Sequence, residues 1–123
     1  MQHHPANRRV HGRDGRSLEE VWAGSPTAYL GSTVSGFPKA FVMFGPNIGT
    51  LSGFVMAEAQ TDYLVEAIKA MRAEGVTSID VRREVQEAFV AECDEILRDS
   101  TFAVGGCSRS MRVTWPWTPI WTR

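Results

Sequence analysis

A chain of 123 residues with a formal net charge of −1 and 43% hydrophobic residues has the make-up of one ordinary globular domain at most. Its basic residues are scattered and balanced by acids, with no basic stripe interleaved with aromatics, which excludes the electrostatic footprint expected of a nucleic-acid binder. No apolar run approaches the ~18 residues of a membrane span, and the polar start Met1-Gln2-His3-His4 lacks the apolar core of a signal peptide; the expectation is a protein of the cytoplasm with no transmembrane segment.

Residues 1–9 show no periodicity and are expected to be disordered; His3 and His4 lie there without a third metal ligand. Val10 to Trp22 reads as a β-hairpin of two short strands, because Asp14-Gly15 is a strong turn signal between apolar-containing arms. His11, flanked by arginines, fits a solvated strand residue better than a general base. Gly24-Ser25-Pro26 is a loop, and Tyr29 through Val34 reads as a weaker extended piece leading to a turn at Gly36-Phe37-Pro38.

The stretch from Gly36 to Gly53 organises the rest. Ala40 to Phe44 is apolar at every position, the pattern of a strand covered on both faces, as in α/β sheets. Gly45-Pro46-Asn47 stops it, since proline cannot donate to a sheet ladder and glycine tolerates unusual dihedrals. A long helix then opens near Ser52. Strand, small-residue loop and helix start together form a ligand-binding edge, where free helix amides favour an electron-rich group.

Phe54 to Ala73 predicts a helix. Glu58, Asp62, Glu66, Lys69 and Arg72 mark its polar face, and Met56, Ala59, Tyr63, Ala67 and Met71 its apolar one, widened by Val55, Leu64, Val65 and Ile68. Such a wide face suits a helix packed between other elements, and Glu74-Gly75 supplies its stop. Ser78 to Arg82 alternates and reads as a short edge strand. Glu84 to Arg98 predicts a second helix with Val85, Ala88, Phe89, Ile96 and Leu97 toward a core and a solvated face of Gln86, Glu87, Asp94 and Glu95. Cys93 and Cys107 match no metal-ligand or redox spacing and read as structural thiols. The tail carries Trp115-Pro116-Trp117 and Trp121.

Several of these runs, in order, resemble the C-terminal portion of flavin-containing monooxygenases of Baeyer-Villiger type: GRDGRSLEEVW from Gly12, AYLGSTVSGFPKAFVMFGPN from Ala28 to Asn47, Glu58-Ala59-Gln60, DVRREVQEAF from Asp80, and the Gly105-Gly106-Cys107 triplet. The likeness covers about Val10 to Cys107. It implies a partial α/β fold, the C-terminal remnant of a Rossmann-type FAD-binding domain with short strands and two main helices. The corresponding division is residues 1–9 as a disordered segment, 10–107 as the monooxygenase portion and 108–123 as an irregular Trp-rich tail.

In that family FAD and NADPH together oxygenate ketones, or nitrogen or sulfur centres, the chemistry being the cofactor's. The resemblance implies that Gly45, Pro46 and Asn47 form the turn after the last strand of the FAD domain, and that Thr50, Leu51, Ser52 and Gly53 belong to the loop whose backbone approaches the flavin ring. Departures are equally informative. None of the 11 glycines falls in a G-x-G-x-x-G spacing, so neither phosphate-binding loop is present, and the histidine- and tryptophan-containing oxygenation signature and the arginine expected to steer the oxygenated flavin are also absent. Ser108 to Met111 and the stretch before Trp115 depart from the family pattern, and Lys39 stands where asparagine is common. The expectation is therefore a chain that binds neither FAD nor NADPH tightly and is inactive alone. It would be completed by a second polypeptide carrying the two dinucleotide-binding domains, or it would self-associate through exposed apolar surface. A reading of another class is a small non-catalytic α/β interaction module using Trp115, Trp117 and Trp121 as contacts.

Overall fold

The computed structural model describes residues 5–23, 25–47 and 52–98. A 3-10 turn at Pro5–Arg8 is followed by three helices, α1 (Leu18–Val21), α2 (Gly53–Ala73) and α3 (Arg83–Leu97). The 3-10 turn falls in the segment expected to be disordered, and the Arg8 guanidinium pairs with Glu19 of α1 at 2.7 Å.

The Asp14-Gly15 turn forms as read. Gly15 takes a φ of 80°, the Gly12 N–H donates to the Arg16 carbonyl at 2.9 Å, and His11 bridges Ser17 in antiparallel sense. The second arm is a helix instead of a strand. Ser17 and Glu20 close a capping box: the Glu20 N–H donates to Ser17 Oγ at 3.2 Å and the Ser17 N–H to Glu20 Oε2 at 2.6 Å, which satisfies two donors a strand would have sent to a partner. Donation to the Glu20 carboxylate from the Ser17 backbone N–H, and then from the Ser17 hydroxyl at 3.0 Å, holds the Glu20 carboxyl below its ordinary range.

The expected strands do not form among the described residues; three isolated antiparallel bridges, His11–Ser17, Tyr29–Thr33 and Thr33–Phe41, stand in their place. The reason lies in the backbone. A ladder needs consecutive extended residues, and Leu30 (φ 51°), Gly31 (62°), Gly36 (88°), Lys39 (78°) and Phe44 (54°) all turn left-handed. Tyr29 to Val34 is consequently a tight turn closed by Tyr29 and Thr33, and Ala40–Phe44 follows the Gly31–Ser32 backbone through only two hydrogen bonds, Val42 N–H to Ser32 O and Gly45 N–H to Gly31 O. Met43 and Phe44 are exposed, so the run is not covered on both faces. Ser78 to Arg82 pairs with no neighbour as a strand; instead Asp80 Oδ1 accepts the Gly36 N–H at 3.0 Å while its other oxygen faces Arg13 at 3.7 Å.

Leu18, Trp22, Ala28, Val34 and Phe37 form the core, with Val10, Val21, Ala40 and Val42 packed against it. Each fully buried large side chain contributes roughly 1.5–3 kcal/mol. Trp22 also donates its indole N–H to the Thr27 carbonyl at 2.9 Å. The core thus sits among the turns before α2.

The long helices attach to this body mainly by polar and aromatic contacts. Tyr29 stands edge-on to Tyr63 of α2 and to Phe89 of α3, with ring centroids 6.4 and 5.3 Å away. Gln86 of α3, expected on the solvated face, is buried; its Oε1 accepts the Ser35 N–H at 2.7 Å and its Nε2 donates to Thr27 Oγ1 at 3.2 Å. Val85, Ala88 and Ile96, expected toward the core, are exposed. The Schellman stop of α2 is present: Gly75 at φ 65° donates to Arg72 O, and Val76 to Met71 O. No helix of the described residues is long and apolar enough to cross a membrane.

Candidate cofactor-facing turn

Pro46 is fully buried and Asn47, 7% exposed, adopts a left-handed φ of 63°, which asparagine tolerates better than most residues. The turn packs against the preceding loop so tightly that a side chain at Gly45 would run into the Gly31 carbonyl, closer than real Cβ atoms approach. Glycine is required here by proximity of two backbones, which the Gly45 N–H to Gly31 O bond at 3.0 Å maintains.

Asn47 is oriented by one contact. The Ala28 N–H donates to its Oδ1 at 2.9 Å, so the amide cannot be flipped without losing that bond, and the side-chain nitrogen faces the other way. That Nδ2 is buried and has no hydrogen-bond partner among the described residues. A buried amide donor left unpaired costs about 1–3 kcal/mol.

Ser52 and Gly53 open α2. Ser52 is the N-cap by backbone alone, accepting the Met56 N–H at 3.1 Å, and its hydroxyl makes no capping bond. A Cβ on Gly53 would lie 3.6 Å from the Phe44 ring, an ordinary contact, so the helix start abuts the turn. Gly45, Pro46, Asn47, Ser52 and Gly53 are thus the expected site residues that the structure describes; Thr50 and Leu51 lie outside the described residues, as do Cys107, Trp115, Trp117 and Trp121.

Residues that sequence reading left without a role hold this edge together. Gln60 of α2, 3% exposed, accepts the Phe44 N–H at 3.0 Å and donates to the carbonyls of Gly31 at 3.0 Å and Leu30 at 3.3 Å. Tyr63, one helical turn on, lies 3.3 Å from the Thr33 hydroxyl. A polar residue on the inward stripe of a helix was the available signal, visible at position 60 among Met56, Tyr63, Ala67 and Met71. Cys93 is a half-buried free thiol whose pKa is raised by burial and then by Glu92 and Asp94, the opposite of an activated nucleophile. Among the described residues no group of three or more histidine, cysteine or acidic side chains could hold a metal ion.

No family model matches the chain. A Baeyer-Villiger monooxygenase of Pseudomonas aeruginosa is 40% identical over 100 residues, which are 80% of this chain and 19% of that protein. An FAD-binding monooxygenase of Aspergillus niger is 36% identical over 105 residues, 80% of this chain and 17% of its own length. The fold agrees: the NADP+-bound cyclohexanone monooxygenase of Rhodococcus sp. Phi1 superposes with a TM-score of 0.74 at 27% identity, over 90% of this chain and 21% of that one. The chain therefore spans about a fifth of the proteins it matches, and it belongs, as a segment, to the flavin-containing monooxygenases of Baeyer-Villiger type.

Proposed function

We propose that this chain supplies the flavin-facing turn and the helical cap of an FAD- and NADPH-dependent monooxygenase that oxygenates a ketone, or nitrogen or sulfur, in a small organic substrate. Residues 10–107 correspond in this reading to the C-terminal portion of the FAD-binding domain. The observation that carries it is the buried Nδ2 of Asn47, unpaired among the described residues and held by the Ala28–Asn47 bond at the turn that the sequence motif singles out. Such a donor suits the electron-rich carbonyl edge of a flavin. FAD, when bound and reduced by NADPH, supplies the oxygen-activating chemistry.

The chain's own residues act by position and by charge. Gly45 and Pro46 fix the turn, Asn47 donates, and Thr50 to Gly53 bring the start of α2 to the ring. The positive end of a helix dipole favours negative charge by about 0.3–1 kcal/mol when exposed and up to about 2 kcal/mol when partly buried. The sequence holds no G-x-G-x-x-G to grip a pyrophosphate, so in this reading affinity for FAD and the reaction itself depend on that grip being supplied with it. Exposed apolar positions on the helices, with Phe54 at 86% and Ile96 at 71%, are consistent with a surface that a further polypeptide, or a second copy, covers.

The test is complementation. The Pseudomonas relative is truncated to remove the segment that aligns with this chain, and the two polypeptides are co-expressed and purified together. A yellow complex that oxidises NADPH in the presence of a cyclic ketone supports the proposal. Separate, colourless polypeptides, with the intact relative yellow under the same conditions, count against it.

A further inference from the structure

Left-handed backbone is uncommon outside glycine, and for a leucine or a phenylalanine it is an energetically unfavourable choice that surrounding contacts must enforce. Two of the non-glycine left-handed residues, Leu30 and Phe44, meet at one side chain. Gln60 Nε2 donates to the carbonyls of Leu30 and Gly31, and its Oε1 accepts the N–H of Phe44. A third left-handed residue, Asn47, follows Phe44 by three positions, and its unpaired amide sits at the end of the same turn. Gln60 is also the residue that α2 buries, although the helix offers many apolar side chains for that place. A leucine there would leave the Phe44 N–H unpaired and take one donor from each of the Leu30 and Gly31 carbonyls, which would keep only the Ser32 hydroxyl at 3.3 Å and the Gly45 N–H at 3.0 Å. The geometry points to a selective reason for an amide: it is the one side-chain group that presents donors to two carbonyls and an acceptor to an N–H at once.

We infer that Gln60 is a positioning residue for flavin binding. It clamps the strained Leu30–Gly31 and Phe44 backbones to α2 so that the turn through Asn47 keeps the geometry that receives the ring. This role rests on the flavin reading above, and its test separates the two.

In the co-purified complex, FAD dissociation constants are measured by flavin fluorescence for wild type, Gln60→Leu and Gln60→Glu from neutral to mildly acidic pH, with melting temperatures taken alongside. Gln60→Leu is expected to weaken FAD binding roughly tenfold at every pH, the equivalent of losing about one net hydrogen bond. Gln60→Glu is weak at neutral pH, where an ionised carboxylate faces two carbonyls. It recovers as pH falls, because the protonated acid again offers one donor and one acceptor. Wild-type affinity stays flat or changes independently of this recovery. FAD affinity equal to wild type in both variants, or a Gln60→Glu profile parallel to wild type, overturns the inference while leaving the flavin reading in place. A wild-type complex without flavin overturns the flavin reading and this role together. The clamp itself is read on the full chain alone: Gln60→Leu must speed hydrogen exchange at the Phe44 amide, and unchanged exchange there refutes it.

Discussion

In the sequence Gly45 reads as a stop that tolerates unusual dihedrals and Gly53 as part of a loop whose backbone comes close to the flavin ring; in the structure it is Gly45 that another backbone approaches closely. A methyl group on Gly45 would meet the Gly31 carbonyl inside any distance real Cβ atoms show, with Val42 also within 3.2 Å; on Gly53 it would rest 3.6 Å from the Phe44 ring. For Gly45→Ala, pushing two backbones apart costs about 1–3 kcal/mol as overpacking, and losing the Gly45–Gly31 hydrogen bond about another 1 kcal/mol. The reduced entropy of the unfolded alanine chain returns about 0.4–1 kcal/mol, which leaves a net loss of about 1–3.5 kcal/mol. Gly53→Ala meets no obstruction and sits at the first helical residue, so it stabilises by up to about 0.5–1 kcal/mol. The assay is urea unfolding of the full chain followed by helical circular dichroism, with both variants beside wild type. A Gly45→Ala variant within about 0.5 kcal/mol of wild type would refute the claim that backbone proximity, and not a ligand, dictates glycine at this position. In the flavin complex the order reverses in interest: if the Gly53 backbone faces the ring, Gly53→Ala weakens FAD binding while raising stability.

Further outcomes follow from single contacts. Lys39 holds a left-handed φ of 78° with a side chain suited to neither turn nor cap, so Lys39→Asn should stabilise the chain by on the order of 0.5–1 kcal/mol in the same urea assay. Ser17→Ala removes the capping box and should cost about 1 kcal/mol. Because the folded state depresses the Glu20 pKa, the stabilisation from that carboxylate is complete above its unfolded pKa and is lost as pH falls through the folded one; the wild-type acid limb should therefore be steeper than that of Glu20→Gln. Cys93, its thiol pushed up by burial, should react with a disulfide reagent more slowly than free cysteine at mildly alkaline pH in a Cys107→Ser background, and equal rates would contradict the burial.

What the sequence made legible is what repeats or stops. The 3.6-residue rhythm of Met56, Tyr63, Ala67 and Met71 places α2 within a residue of its observed start, Gly75 ends it, and Asp14-Gly15 turns where a turn was read. The Ser17-Leu18-Glu19-Glu20 capping signature was equally visible, yet the turn beside it drew the reading toward a hairpin. The strands failed for a reason no periodicity carries. Tyr29–Val34 and Ala40–Phe44 read as extended, but Leu30 and Phe44 are left-handed and hydrogen-bonded to Gln60 of α2, 16 to 30 residues away in sequence. Local β-propensity is overridden there by long-range hydrogen bonding.

The same physics explains why half of the site was hidden. A hydrophobic pattern ranks side chains by their aversion to water, and so it put Gln86 on the solvated face of α3 and gave Gln60 no place. Both are buried because each serves backbone groups that irregular turns leave without ladder partners: Phe44, Leu30 and Gly31 for Gln60, Ser35 for Gln86. Where a sheet would satisfy those amides and carbonyls by itself, a helix carrying an inward amide must do so from outside. A chain built of turns therefore needs buried glutamines where a chain built of strands needs valines. Asn47 is buried beside them with its Oδ1 on the Ala28 N–H, and its Nδ2 finds no such partner among the described residues; under the proposal above, that donor is what a turn made to receive a ligand would keep and a turn made only to end a segment would not need.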